Sequence, residues 1–139
     1  MLRQTNAILL SRADRPGLHE ITDEVREFVN DSGIRDGVLT LFCRHTSASL
    51  VIQENAAPAA RRDLERYFER LAPEVGDYEH DDEGADDMPA HLRSALTATQ
   101  LSIPVKDSKP LLGSWQGIFL FEHRQNTPDR QIALHLIGE

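Results

Sequence analysis

The residues able to do chemistry in this chain gather in one acidic segment and at the ends of three others. Between Asp77 and Asp87 stand seven carboxylates (Asp77, Glu79, Asp81, Asp82, Glu83, Asp86, Asp87) and no Lys or Arg. The whole chain carries 23 acids against 15 bases, net -8, so this segment supplies nearly all of the imbalance. Packed carboxylates repel one another, and such a loop calls for a cation, a basic partner or full solvation. Two of the six histidines belong to the same stretch, His80 within the segment and His91 four residues beyond it. His45 follows an apolar run and leads into the hydroxyls Thr46, Ser47 and Ser49, while Glu122 and His123 close another. Imidazoles and carboxylates together form a donor set for zinc or another divalent ion, with Asp86 as a ligand, an orienting partner of a histidine, or a general base. No histidine pair has the i, i+4 spacing of a helical metal motif, so the signal lies in the collection rather than in one motif.

Other chemistries find less support. Gly113-Ser114-Trp115-Gln116-Gly117 matches neither a dinucleotide fingerprint nor a phosphate-binding loop. Ser47 and Ser49 lie outside a nucleophile-elbow context. The single cysteine, Cys43, falls within an apolar run, where an inert buried thiol is the expectation. One cysteine also excludes an intrachain disulfide framework and fits a reducing cytoplasm. The acidic balance argues against nucleic-acid binding, and no apolar run approaches the roughly 20 residues that cross a bilayer. A soluble, cytoplasmic protein of one domain spanning residues 1–139 is expected.

The elements that must position these residues follow from periodicity and punctuation. Arg3–Ser11 reads as a strand, and Pro16-Gly17 marks a turn within Arg12–His19. Ile21, Val25, Phe28 and Val29 share one helical face, with Thr22 suited to the cap and Gly33 to the stop. Val38–Arg44 is apolar on both faces and reads as a doubly buried strand, followed by the polar turn His45–Ser49 and a short strand Leu50–Ile52. Pro58 opens a second helix, capped by Asn55 or a neighbour, with the stripe Ala60, Leu64, Tyr67, Phe68 and Leu71; Pro73 ends it. Asp86 or Asp87 can cap a short third helix with Pro89 in its first turn and Ala90, Leu92, Ala95 and Leu96 toward the core. His91 then lies near a helix start, where neutral imidazole, the form that binds metals, is favoured. Leu101–Val105, with Pro104 at an edge or bulge, Trp115–His123 and Gln131–Ile137 complete the strands. His19 and His135 look structural. Roughly seven strands and three helices without βαβ alternation predict an α+β fold containing a two-sheet sandwich. Strands apolar on both sides in so short a chain also hint that another subunit covers some sheet surface.

Five segments, taken in order, resemble one family. His45-Thr46-Ser47-Ala48-Ser49-Leu50 with Glu54-Asn55, Tyr78-x-His80, Gly84-Ala85-Asp86-Asp87-Met88-Pro89-Ala90-His91, Gly113-x-Trp115-Gln116-Gly117-Ile118 and Glu122-His123-Arg124 are similar to the YjbQ family from near Arg3 to Gly138-Glu139. The resemblance implies a seven-stranded sandwich with two to three helices, assembled as a homotrimer. It also implies a secondary thiamine-phosphate synthase activity, a transferase reaction that joins hydroxymethylpyrimidine diphosphate to thiazole phosphate and releases diphosphate. Carried onto this chain, it implies His45, His80, His91, Asn55, Asp63, Trp115, Gln116 and Glu122 as cleft residues, and on an enzyme reading of that cleft His45, His80 and His91 hold a divalent metal, zinc or magnesium. His45, His91, Asp86 and Glu122 become catalytic groups, and Thr46, Ser47, Asn55, Asp63, Trp115, Gln116 and Arg124 bind a small phosphorylated molecule. The alternatives are a metal-dependent hydrolase, or a non-catalytic trimer that binds a small ligand or a metal. The chain departs from the family pattern at Ser114, at Ala98-Thr99-Gln100, and at Ser108, which stands where a turn glycine is expected.

Overall fold

The computed structural model describes all residues from Met1 to Glu139. The order is β1 (Arg3–Ser11), β2 (Gly17–Glu20), α1 (Thr22–Ser32), β3 (Gly37–Cys43), β4 (Ala48–Glu54), α2 (Pro58–Leu71), α3 (Asp87–Leu96), β5 (Gln100–Lys106), β6 (Lys109–Pro110), β7 (Gln116–Glu122) and β8 (Arg130–Gly138). Five strands form one sheet in the order β1-β8-β3-β5-β6, and three form a second in the order β2-β7-β4. The paired strands run antiparallel. The α+β reading with two sheets therefore stands, with eight strands rather than seven. The sequence hides two strands: β2, whose four residues follow directly on Pro16 and read as part of its turn, and the two-residue β6, which lies in a stretch, Lys106–Pro110, that reads as a turn.

The main core fills the space between the sheets and under α1. Leu39, Leu41 and Cys43 of β3, Ile132, Leu134 and Leu136 of β8, and Ile118 and Leu120 of β7 meet Val25 and Val29 of α1 there. Gly33 ends α1 in the left-handed region at φ 72°, as its position suggests. Thr22 is not its cap: the hydroxyl donates to Glu20 at 2.7 Å and accepts Ile118 N–H at 2.9 Å, stitching α1 to β7. A smaller cluster, Leu18, Phe119 and Phe121, packs beneath Leu64 and Phe68 of α2, so β7 is buried on both faces. Ala57 rather than Asn55 precedes α2, and its N–H donates to the Glu54 carboxylate at 3.0 Å.

Two expectations change. The strand β3 is buried on one face only, because Val38 and Phe42 are 47% and 44% exposed. Ile8 and Leu10 of β1 and Ile137 of β8 are also exposed, and the strand register puts them on the same outer face of the five-stranded sheet. On α3 the inward residues are Asp87, Pro89, Ala90 and Arg93, while Ala95 and Leu96 face outward. The pattern of alanine and leucine on so short a helix concealed that its buried side carries two charges.

Candidate metal centre

The acidic segment and the start of α3 fold back on each other so that ligand atoms of His80, Glu83, Asp87 and His91 all lie within 4.8 Å of one another. Asp87 is the hinge of this arrangement. One turn separates it from His91 along α3, and its Oδ2 faces both His91 Nε2 at 3.1 Å and His80 Nε2 at 2.9 Å. Glu83 Oε2 stands 3.1 Å from the same His80 nitrogen. The other Asp87 oxygen accepts from Arg124 Nη1, so Arg124 fixes how the carboxylate is presented. Asp87 is nonetheless 3% exposed. Burial pushes its carboxyl up, but the charges of His91 and Arg124 and the His80 hydrogen bond outweigh that and hold it below the usual carboxylate range.

The proton positions are informative. His91 Nδ1 stands 2.9 Å from the Thr46 carbonyl, which can only accept, so Nδ1 carries the proton. In neutral imidazole this leaves Nε2 as a lone pair aimed at a carboxylate oxygen. That arrangement repels unless a proton or a cation stands between the two groups. An imidazole whose far nitrogen donates to a backbone carbonyl is the usual way proteins orient a metal-binding histidine. The Asp87 hydrogen bond, against a smaller effect of burial, holds the His80 imidazole above its ordinary value, with Asp82 and Glu83 adding to the same direction.

The remaining residues singled out in the sequence fall into three groups. Thr46, Ser47 and His45 line an open cleft of about 920 Å³ that reaches His91, together with Arg44, Ser94 and Thr99. His45 is not among the converging ligands, because its Nε2 accepts the Gln131 N–H at 2.8 Å. Asp86 occupies the N-cap position of α3, but its side chain makes no capping bond. Its Oδ2 accepts Arg124 Nε at 3.1 Å and Gln125 N–H at 2.7 Å, which ties the acidic segment to the connection after β7. Arg124 is thereby occupied by Asp86, Asp87 and the Glu83 carbonyl rather than free for a substrate.

Glu122 is fully buried beside Arg130, itself 2% exposed. Its Oε1 accepts Arg130 Nε at 2.8 Å, and its Oε2 accepts Arg130 Nη2 and the N–H groups of His123 and Arg124. With both oxygens engaged and no solvent access, Glu122 is an anchor for the segment bearing Arg124, not a proton acceptor. The third group lies at the far end of the smaller sheet. There Glu54 pairs with Gln116, whereas Ala48 pairs with Glu122 at the histidine end. Six residue steps at about 3.3 Å put roughly 20 Å between the two ends. Asn55 donates to Glu20, Gln116 accepts Gly113 N–H, Trp115 is 66% exposed, and Asp63 lies on the solvent side of α2 near Arg66. The fold of one chain does not bring them to the histidines.

Sequence reasoning missed Glu83 and Asp87 as partners of the histidines. For Asp87 the signal was present, because Asp87 and His91 are an i, i+4 carboxylate–histidine pair although no two histidines have that spacing. Glu83 is one of seven similar carboxylates, and nothing local distinguishes it. His19 and His135 behave as expected, bonded to the Arg15 carbonyl and the Asn6 side chain.

Comparison with known proteins agrees with the geometry of the fold. The family model described as "UPF0047 protein YjbQ-like" matches residues 6–139. A UPF0047 protein of Synechocystis sp. is 47% identical over 138 residues, covering 99% of this chain and 94% of its own length. The UPF0047 protein YjbQ of Escherichia coli O157:H7 is 46% identical, covering 88% and 90%. Among solved structures, a YbjQ-like protein of Sulfolobus solfataricus superposes with a TM-score of 0.92 at 24% identity over the full length of both chains, which speaks to fold. A YjbQ/UPF0047-family protein from Clostridium acetobutylicum superposes at 0.81 with 32% identity, covering 94% of this chain and 97% of that one.

Proposed function

The chain belongs to the YjbQ-like UPF0047 family, and from that premise we propose that it is a metal-dependent enzyme acting on a small phosphorylated molecule. The observation that carries the reading is the convergence of His80, Glu83, Asp87 and His91, with His91 Nδ1 donating to the Thr46 carbonyl and its Nε2 directed at Asp87. These four side chains would hold the ion. Two imidazoles in the donor set favour zinc or a similar transition ion over magnesium, which prefers oxygen ligands and water. Once bound, such an ion supplies Lewis-acid stabilisation of negative charge on a phosphate or diphosphate oxygen.

The protein's own residues do the rest. Arg124 orients Asp87 and, through Asp86, secures the acidic segment against the connection after β7. The cleft beside His91 is large enough for a small molecule, and its hydroxyls and Arg44 suit phosphate oxygens. An acidic segment without a cation would repel such a substrate, so charge balance favours metal and substrate binding together. The finer activity, formation of thiamine phosphate from a pyrimidine diphosphate and a thiazole phosphate, rests on family resemblance and requires this kind of site. A homotrimer is part of the same reading. Its support is the apolar outer face of Ile8, Leu10, Val38, Phe42 and Ile137, which a second copy would cover.

The test is turnover with defined metal content. Protein stripped with chelator and reloaded with zinc should form thiamine phosphate, and stripped protein should not. Equal turnover with and without the ion contradicts the metal role. Stoichiometric metal binding with no turnover would leave a metal-binding protein instead.

A further inference from the structure

His45 stands outside the converging ligands, yet its surroundings define its chemistry closely. The backbone N–H of Gln131 donates to His45 Nε2 at 2.8 Å. A donor must meet a lone pair, so Nε2 is unprotonated and the ring proton stands on Nδ1. Protonating Nε2 would break this bond and set two N–H groups against each other. Burial, with the charges of Arg130 and Arg44, also keeps the ring below its ordinary pKa. Nδ1 has no partner within the protein, and it is not among the sealed, unbonded polar atoms, so it retains access to solvent. His45 lines the cleft that reaches His91. Arg44, on the same wall, is held by Nη1 to Gln131 Oε1 at 2.6 Å. One residue, Gln131, thus fixes both: its backbone sets the tautomer of His45 and its side chain places the guanidinium of Arg44.

Closing the end of β8 would by itself explain the Nε2 bond. It leaves unexplained why a half-buried ring keeps an unbonded N–H beside an anchored guanidinium and the hydroxyls of Thr46, Ser47, Ser94 and Thr99. We propose that His45 is a neutral, tautomer-locked Nδ1–H donor that, with Arg44, binds phosphate oxygens in this cleft and is neither a metal ligand nor a proton acceptor. This deepens the proposed function by assigning the anion end of the substrate to His45 and Arg44, and it rests on that reading only for the cation beyond His91.

The probe is inorganic phosphate, titrated into the metal-stripped protein and into the zinc-loaded protein. Hydrogen bonds to a charged group contribute about 1.5–3 kcal/mol, so His45→Ala should weaken phosphate binding by at least about tenfold. His45→Asn, whose amide N–H reaches toward the position of Nδ1, should recover most of it. Zinc affinity should be unchanged in both. Long-range ¹H–¹⁵N spectra of the ring in the unmodified protein, which need no variant, should show protonated Nδ1 and unprotonated Nε2 near pH 7. Phosphate binding that His45→Ala leaves unchanged, an Nε2-protonated ring, loss of zinc binding in His45→Ala, or no phosphate binding at all would each overturn the assignment. Phosphate binding that depends on His45 in a protein that takes up no zinc would remove the metal reading and leave this one standing.

Discussion

Replacing Glu122 by Gln separates an anchoring role from a catalytic one. The change keeps the side chain's size but removes its charge, and it turns one acceptor into an NH₂ donor. Glu122 accepts from Arg130 Nε and Nη2 and from two backbone N–H groups, in a place without solvent. The substituted amide can satisfy some of these donors but leaves the Arg130 charge buried without a counterion. Removing one partner of a buried pair costs about 3–5 kcal/mol, because the survivor is uncompensated. For 139 residues, an unfolding entropy of about 2.1 cal/mol/K per residue gives about 0.3 kcal/mol per degree, so the melting temperature should fall by about 10–17 °C. Thermal melts followed by circular dichroism, with denaturant titration at 25 °C, measure both quantities. Adding Arg130→Met to the variant should recover at least half of the loss, since no unpaired charge remains. A Glu122→Gln protein that melts within about 2 °C of the parent, yet has lost turnover, would refute this reasoning and return Glu122 to the role of a base.

Three further outcomes follow from the same geometry. His123 is 1% exposed, and burial holds its pKa down to about 3. The unfolded chain therefore takes a proton below about pH 6.5 that the folded chain refuses, and stability falls with pH between those values by about 1.4 kcal/mol per unit. Unfolding free energies at pH 7 and pH 5 should differ by about 2 kcal/mol more in the parent than in His123→Asn; identical differences contradict the assignment. Asp107 and Ser108 form the turn between β5 and β6 at φ 50° and φ 64°, so Ser108→Gly should relieve left-handed strain and stabilise by up to about 1 kcal/mol in denaturant titration. Val38→Lys, on the apolar outer face, should convert a trimeric mass in light scattering to a monomeric one; an unchanged mass would place the interface elsewhere.

How much of this was legible in the sequence depends on how local the determining interaction is. Strands β1, β3, β7 and β8 and the stop at Gly33 were readable because composition and punctuation act within a few residues. The four-residue β2 was not, since its pairing with β7 is a long-range fact and Pro16-Gly17 reads as a turn. Apolar residues on both faces of β3 described what the sheet needs covered, not what one chain covers. At the site, His80, His91 and the acidity between them marked the place. Asp87 looked like a helix cap because its position before Met88-Pro89 suits one, whereas the fold uses it to join two histidines and Arg124. The Glu122–Arg130 pair spans the connection between β7 and β8, and no local pattern distinguishes those ends from free groups.

The central claim is that His80, Glu83, Asp87 and His91 form one divalent-ion site, and calorimetric titration of zinc into the stripped protein tests it most directly. One ion per chain should bind, and His91→Ala should weaken it by at least about 100-fold while His45→Ala binds as the parent does. Absence of stoichiometric binding, or equal affinity in the parent and His91→Ala, would contradict it.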